Sequence, residues 1–197
     1  MPRIVAGAAR GRRLAAPPGR GTRPTADRVR EALFSALEAQ LGSFAGRRVA
    51  DLYAGTGAVG LEALSRGAAA VLLVESDPVV VRVLRANVAA VGLPGAQVRT
   101  GRVERVVAGA PGTTGAAAYD VVFLDPPYDV ADADLQAVLR DALAHGWVVP
   151  GGLVVVERAT RGGGWAWPHG LEGLRSRTYG EATLWYGRAA LSDSPGE

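Results

Sequence analysis

Asp125-Pro126-Pro127-Tyr128 is the stretch of this sequence with the clearest chemistry. It follows an apolar run typical of a buried strand, and two prolines cannot continue a strand, so the chain must turn away after Asp125. In an open α/β sheet, ligands bind just beyond the carboxyl ends of the strands. The Asp125 carboxylate and the Pro126 carbonyl could each accept one N–H of an exocyclic amine, and Tyr128 could stack on the ring that carries the amine. The alternative is a plain turn with a solvated Asp125.

A second candidate site lies in Gly55-Thr56-Gly57-Ala58-Val59-Gly60, which follows a predicted strand and precedes a helix. This spacing fits the dinucleotide fingerprint, so a nicotinamide dehydrogenase is one interpretation. Asp51 favours another, because a carboxylate repels a pyrophosphate but suits a cofactor with a cationic amino-acid end, such as S-adenosyl-L-methionine. Glu75, at the end of the next strand, suits a ribose diol in either case. A helix cap or a surface charge is the alternative for Asp51, although its apolar neighbours make an unpartnered role costly.

Two residue sets follow from these stretches. The predicted catalytic residues are Asp125, Pro126, Pro127 and Tyr128. The predicted cofactor-binding residues are Asp51, Tyr53, Ala54, Gly55, Thr56, Gly57, Gly60, Glu75 and Ser76. With no cysteine and only two histidines in the chain, a metal site is not expected.

Alternating strands and helices must position both sites. The apolar periodicity predicts strands at 48–53, 69–75, 97–100, 119–125 and 153–157, helices at 61–66, 78–91, 103–108 and 131–145, and a final hairpin at 174–179 and 182–187. Such alternation favours an α/β fold with a parallel sheet and helices on both faces. In this topology the first and fourth strands are neighbours, so their ends would bring a methyl donor and a base together.

The amino-terminal 30 residues carry an unusual charge. All 22 basic residues of the chain are arginine, eight of them lie in this segment, and Asp27 is its only acid. Such a patch is the electrostatic footprint of a polyanion partner, whereas a flexible basic tail is the plain alternative. We predict a small β-ribbon over residues 2–16 and a helix over 26–41, with Arg28 and Arg30 outside its apolar stripe and facing outward.

The chain resembles the bacterial 16S rRNA guanine-N2 methyltransferases, which modify one guanine in the head of the small ribosomal subunit. The resemblance spans roughly residues 3–186, and its most particular part is Arg23-Pro24-Thr25-Ala26-Asp27-Arg28-Val29-Arg30-Glu31. Other pieces are Ile4-Val5-Ala6-Gly7, Arg10-Gly11-Arg12-Arg13-Leu14, residues 51–67, the Asp-Pro-Pro-Tyr stretch and Tyr179-Gly180. One departure is Arg102, which stands where related enzymes commonly carry an acid or amide that accepts from the adenine amine.

The resemblance implies a Rossmann-like class I S-adenosylmethionine-dependent methyltransferase with a seven-stranded, mostly parallel sheet and a C-terminal antiparallel hairpin. It implies a basic extension over residues 1–45, a methyltransferase domain over 46–188 and a disordered tail over 189–197. The implied substrate is 16S rRNA in a partly or fully assembled small subunit, and we expect a cytoplasmic monomer. The predicted RNA-binding residues are Arg10, Arg12, Arg13, Arg23, Thr25, Arg28 and Arg30.

Three other functions stay open. An adenine-N6 or other amino-methyltransferase acting on DNA or free RNA would use the same Asp-Pro-Pro-Tyr stretch. A non-catalytic RNA-binding assembly factor would need only the arginines. A nicotinamide dehydrogenase would leave both the arginines and Asp-Pro-Pro-Tyr unexplained.

Overall fold

The computed structural model describes residues 2–17, 25–111 and 118–191. Its helices are α1 (Thr25–Leu41), α2 (Ala58–Ser65), α3 (Pro78–Val91), α4 (Val103–Val107) and α5 (Asp132–Ala144). Its strands are β1 (Arg48–Leu52), β2 (Ala70–Glu75), β3 (Ala96–Thr100), β4 (Tyr119–Leu124), β5 (Val148–Ala159), β6 (Leu171–Tyr179) and β7 (Ala182–Ala189). The chain forms two compact units, residues 1–103 and 104–197.

The strands belong to a seven-stranded mixed sheet, which confirms the predicted α/β fold class. In the first unit the order is β3-β2-β1, and all three strands are parallel. In the second unit the order is β4-β5-β7-β6, with β4 and β5 parallel and the hairpin of β6 and β7 antiparallel. The strands β1, β2 and β4 are buried almost throughout, as expected of a parallel sheet covered by helices.

Local signals explain the best-predicted element, α3. The Asp77 side chain caps the helix by accepting from the Val79 and Val80 N–H groups at 2.7 and 3.4 Å. Pro78 follows as the first helical residue, where its missing N–H costs nothing. Gly92 ends the helix in the left-handed conformation, with φ of 64°.

The amino-terminal arm, defined as residues 2–17, is held on α2 by buried polar groups. Its predicted β-ribbon is reduced to a single antiparallel bridge between Arg3 and Arg13. The fully buried Glu62 carboxylate accepts from the Val5 and Ala6 N–H groups at 2.7 and 3.0 Å. Gly7 has φ of 78°, and a Cβ there would lie 1.8 Å from the Ser65 carbonyl oxygen, so only glycine lets the arm approach α2 this closely.

Asn87 on α3 fixes the far end of the arm. Its side-chain oxygen accepts from the Ala15 N–H at 2.7 Å, and its Nδ2 donates to the Ala15 carbonyl at 3.0 Å. The same Nδ2 also donates to the Thr56 carbonyl of the glycine-rich loop at 2.9 Å. One buried amide therefore binds the arm and the loop together.

The predicted domain boundary at 45/46 stays a prediction. Of the tail predicted over 189–197, Ala189 is the last residue of β7, and the residues after Leu191 lie outside the described part of the chain. None of the helices in the described ranges is long and apolar enough to cross a membrane.

Candidate functional site

In the first unit, Asp51 lies near the carboxyl end of β1 and is hydrogen-bonded to Gly60, the last glycine of the glycine-rich stretch. Its side chain is 2% exposed, and its Oδ2 accepts from the Gly60 N–H in the first turn of α2 at 2.9 Å. Gly57, the N-cap residue of α2, has no side chain to do this. Asp51 therefore caps α2, which is the alternative role that the sequence left open for it.

Glu75 holds the other side of the loop. Its Oε2 accepts from the Gly55 N–H at 3.0 Å, and its Oε1 accepts from the Ser76 and Asp77 N–H groups at 2.7 and 2.9 Å. Three backbone donors thus fix the carboxylate at the end of β2. Because each carboxylate oxygen has two lone pairs, the group retains acceptor capacity for a diol.

The remaining predicted cofactor residues lie along the same loop. Tyr53 has a left-handed backbone with φ of 76°, a conformation that costs a non-glycine residue roughly 1–3 kcal/mol and concentrates at functional sites. The Ala54 N–H donates to the Val74 carbonyl at 2.8 Å, which ties the loop to β2. Thr56 bonds to Asn87 through its carbonyl, and Ser76 is exposed at the loop's edge.

The chemistry of this group fits S-adenosyl-L-methionine. A Cβ built on Gly55 meets no atom within 4 Å, so the backbone there borders open space in which a ligand can approach closely. The Glu75 carboxylate lies beside that space, because it accepts from the Gly55 N–H, while Asp51 is buried against the Gly60 N–H. Carboxylates suit a cation and a ribose diol better than a pyrophosphate. The structure thus brings together Asp51, Gly55, Gly60 and Glu75, whereas their binding role stays a prediction.

In the second unit, Asp125 follows the last residue of β4, as predicted. Pro126 is buried, while Pro127 and Tyr128 are exposed, Tyr128 by 68% of its surface. The Pro127 carbonyl accepts from the Val130 N–H at 3.1 Å and so closes the turn. Among residues 118–191 no hydrogen bond reaches the Pro126 carbonyl, which leaves it available as an acceptor.

Glu157 is a site residue that the sequence did not reveal. In the parallel pairing of β4 and β5, Leu124 lies opposite Val156, so the next positions along, Asp125 and Glu157, are neighbours. Burial, together with the Asp125 charge, raises the pKa of Glu157 to about 8. Crowding by protein atoms likewise raises the pKa of Asp125 to about 6, although the residue keeps a surface open to water. Glu157 belongs to no sequence motif, so its position beside Asp125 can be seen only from the pairing of β4 with β5.

A cavity of about 300 Å³ borders the same turn. Its lining includes Tyr128, Arg158, Trp165 and Trp185. Arg158 is adjacent to Glu157 in sequence, and Trp185 pairs with Val156, so both side chains belong to the sheet face opposite Glu157. Tyr128 therefore borders this cavity, whereas neither Asp125 nor Glu157 belongs to its lining.

The predicted RNA-binding residues have different environments. Arg10, Arg12, Arg13 and Arg28 are exposed, and Arg12 also donates to the Ala90 carbonyl. Thr25 begins α1, and Arg23 lies outside the described residues.

The outward orientation predicted for Arg30 is wrong, because its side chain is 5% exposed. Its guanidinium donates to Asp27 at 2.9 Å and to the Arg3 carbonyl, and its Nε lies 3.7 Å from Glu62. The arm packs against the side of α1 that the helical pattern marked as polar. Arg30 therefore holds the arm and is not available to a substrate.

The chain is similar to a described protein family, to named relatives and to solved structures. A family model described as conserved hypothetical protein 95 matches residues 2–188. Ribosomal RNA small subunit methyltransferase D of Escherichia coli K12 is 36% identical over 163 residues, 82% of this chain and 76% of that protein. The solved structure of Escherichia coli yhhF is 30% identical, covers 96% of this chain and 98% of its own, and superposes with a TM-score of 0.82. SMU.776, solved with SAH bound, shares only the fold: 16% identity, a TM-score of 0.64, and coverage of 85% of this chain and 50% of that one.

Proposed function

This chain belongs to the conserved hypothetical protein 95 family, and on that premise we propose that it is a small-subunit ribosomal RNA methyltransferase. Its methyl donor is S-adenosyl-L-methionine, and its target is the exocyclic N2 amine of one guanine in 16S rRNA. The work takes place in the cytoplasm, where the small subunit is assembled. The methyltransferase D relative supports the substrate class, while the choice of guanine N2 is our own extension of the resemblance.

The observation that carries the proposal is the turn after β4. It offers a carboxylate at Asp125, an unused carbonyl at Pro126 and an exposed ring at Tyr128. Two acceptors and a stacking surface match a base whose amine has two N–H donors. A base within a duplex cannot reach such a turn, so it must leave its stack, and the Tyr128 ring would hold it outside.

The cofactor is assigned to the glycine-rich loop of the first unit. Asp51 would face the cationic end of the amino acid and Glu75 the ribose diol, while Gly55 lets the backbone approach. When bound, S-adenosyl-L-methionine supplies an electrophilic methyl group, which the amine takes as the carbon–sulfur bond breaks and its electron pair stays with sulfur.

Asp125 and the Pro126 carbonyl would orient the amine. The nitrogen lone pair of such an amine is delocalised into the ring, and hydrogen bonds to both N–H groups turn it towards the methyl group. Positive charge develops on the nitrogen during transfer, and the Asp125 carboxylate stabilises that charge. After transfer the nitrogen releases one proton, which Asp125 accepts and passes to water. Neither step requires a nucleophilic side chain.

The arm supplies the contact with ribosomal RNA. Arg10, Arg12 and Arg13 are exposed on the arm, which is bonded to α2 and α3, and Arg28 is exposed on α1. Because the arm is anchored, phosphate contacts made by its arginines position the RNA on the domain.

The test is transfer of tritiated methyl from S-adenosyl-L-methionine to small subunits that lack the modification, followed by digestion to nucleosides. We expect label in N2-methylguanosine of the small-subunit RNA. Label appearing only in N6-methyladenosine, or only on free RNA or DNA, would overturn the guanine assignment and favour the amino-methyltransferase alternative. Subunit binding without any S-adenosyl-L-methionine binding in calorimetry would favour the non-catalytic assembly factor.

A further inference from the structure

We infer that Glu157 is a second base-contacting residue, whose neutral carboxyl group donates a hydrogen bond to the ring nitrogen beside the target amine. In this arrangement Asp125 accepts from the amine and Glu157 donates to its ring neighbour. The inference rests on the proposed function, since it concerns the base that is methylated. The two residues are called the acid pair below.

The sheet register sets the geometry of the acid pair. Phe123 pairs with Val155 and Leu124 with Val156, so one further step places Asp125 beside Glu157. Neighbouring strands are about 4.8 Å apart, and partners in register point to the same face of the sheet. A flat ring that bonds to Asp125 therefore lies within reach of Glu157.

No cation neutralises Glu157 from its own strand. Arg158 belongs to the opposite sheet face, where it donates to the Val130 carbonyl at 2.8 Å and to Asp132 at 2.7 Å. On the other side, the antiparallel partner of Glu157 is the fully buried Leu184. Within the described part of the chain the Glu157 carboxyl makes no hydrogen bond, so both of its oxygen atoms are available to a ligand.

Two close carboxyl groups do not ionise together at neutral pH. Burial and the Asp125 charge raise the pKa of Glu157 to about 8, while crowding by protein atoms raises the pKa of Asp125 to about 6, although part of its surface is open to water. Between these values the acid pair carries one negative charge, with the remaining proton on Glu157. A neutral carboxyl group has an O–H donor, and a half-buried donor needs an acceptor.

The target base offers the matching pattern. The N2 amine of guanine is a donor, and the adjacent ring nitrogen N3 is an acceptor. One ionised carboxylate and one neutral carboxyl group, side by side, present an acceptor and a donor in the same order. With Glu157 ionised, that donor is lost and a second negative charge faces the N3 lone pair.

Other polar groups share the sheet face that carries Glu157. Tyr186 of β7 has a pKa raised to about 12, mainly by its burial. The charged and titratable groups that the register places on the same face are Arg188 of β7 and Glu172, Arg175, Arg177 and Tyr179 of β6. On the β4 side, the titratable group beside Glu157 is Asp125, which directly follows the strand. A change of activity between pH 6 and 9 that depends on Glu157 therefore reports its own proton.

The experiment measures kcat/KM for methyl transfer to unmodified small subunits from pH 5.5 to 9, with wild type, Glu157→Gln and Glu157→Ala. For wild type we expect a bell-shaped profile, falling below pH 6 as Asp125 is protonated and falling roughly tenfold between pH 7 and 9 as Glu157 ionises. Glutamine is a neutral donor at every pH, so Glu157→Gln should be faster than Glu157→Ala at pH 7 and should lose the alkaline decline. Glu157→Ala should be about tenfold slower at pH 7.

Each outcome decides a specific point. An alkaline decline that persists in Glu157→Gln would overturn the inference, because it would then come from the RNA or from another group. Full activity of Glu157→Ala would also overturn it. Glu172→Gln, which changes an exposed acid on β6, should keep the wild-type profile. Absence of transfer by the wild type would overturn the proposed function and the inference with it, whereas a wild type that transfers isolates the test of Glu157. Calorimetry with S-adenosyl-L-methionine confirms that each variant is folded.

Discussion

Removing the Glu62 carboxylate should detach the arm from the domain. The side chain is fully buried and accepts from Val5, from Ala6 and from Arg66 Nε, the last at 2.9 Å. The Glu62→Ala variant leaves the two N–H groups of the arm without acceptors in a site that water reaches poorly. It also removes the central anion between two guanidinium groups, those of Arg66 and Arg30.

The expected cost is large for a single substitution. An unsatisfied buried N–H costs about 1–3 kcal/mol, and breaking a buried ion pair by removing one partner costs about 3–5 kcal/mol. The two costs overlap, and Arg66 retains Glu38 while Arg30 retains Asp27. We therefore expect a loss of about 4 kcal/mol in the free energy of unfolding, which corresponds to about 10 °C in Tm for a chain of this size.

Urea unfolding measures the loss, and limited trypsin digestion locates it. In Glu62→Ala, cleavage after Arg10, Arg12 and Arg13 should become much faster than cleavage elsewhere. The control is Glu38→Ala, which removes a more exposed partner of the same Arg66 and should cost under about 1 kcal/mol. Equal losses for the two variants, or unchanged cleavage in the arm, would refute the conclusion that Glu62 anchors it.

Three further predictions concern activity and pH. Asp125→Ala should reduce methyl transfer at least about 100-fold while S-adenosyl-L-methionine binding in calorimetry is retained; normal turnover would remove Asp125 from the mechanism. Changing Arg10, Arg12 and Arg13 of the arm to glutamine should weaken subunit binding and flatten its dependence on salt, by a slope of about one for each lost phosphate contact. The same change at the exposed Arg140 of α5 should not. Finally, Glu157 keeps its proton up to a pKa of about 8 in the folded chain, against 4.5 for the free side chain, so the free energy of unfolding should fall as pH rises from about 4.5 to 8. After discounting for its partly exposed side chain we expect about 2 kcal/mol, and Glu157→Gln should abolish this part of the pH dependence in urea titrations.

Local patterns predicted the elements that local interactions determine. The helix predicted at 78–91 has the bounds of α3, because the features that set it are local: an apolar periodicity, Pro78 in its first turn and the Asp77 cap that the structure adds. The strand predicted at 153–157 is instead β5, Val148–Ala159, because Gly151 and Gly152 look like breakers in isolation but are accommodated within the strand. Pairing with a neighbouring strand compensates for their weak intrinsic preference.

In the candidate site, too, the local features were predicted and the contacts between distant segments were not. The glycine-rich loop and Asp125 were found from spacing, since each motif lies within a few consecutive residues. The errors involve contacts between distant segments. Arg30 was predicted to face outward and to bind RNA, because a helical pattern cannot reveal an arm that packs on the helix. Glu157 was missed because Asp125 and Glu157 are far apart in the sequence and only the strand register brings them together. Register and docking are properties of the whole fold.

The side-chain amide of Asn87 links the arm to the glycine-rich loop. Its Nδ2 serves the Ala15 carbonyl and the Thr56 carbonyl at once, so neither segment can rearrange without disturbing a hydrogen bond of the other. If the proposed function holds, RNA bound to the arm and cofactor bound to the loop would change each other's affinity by the same factor, because thermodynamic linkage is reciprocal.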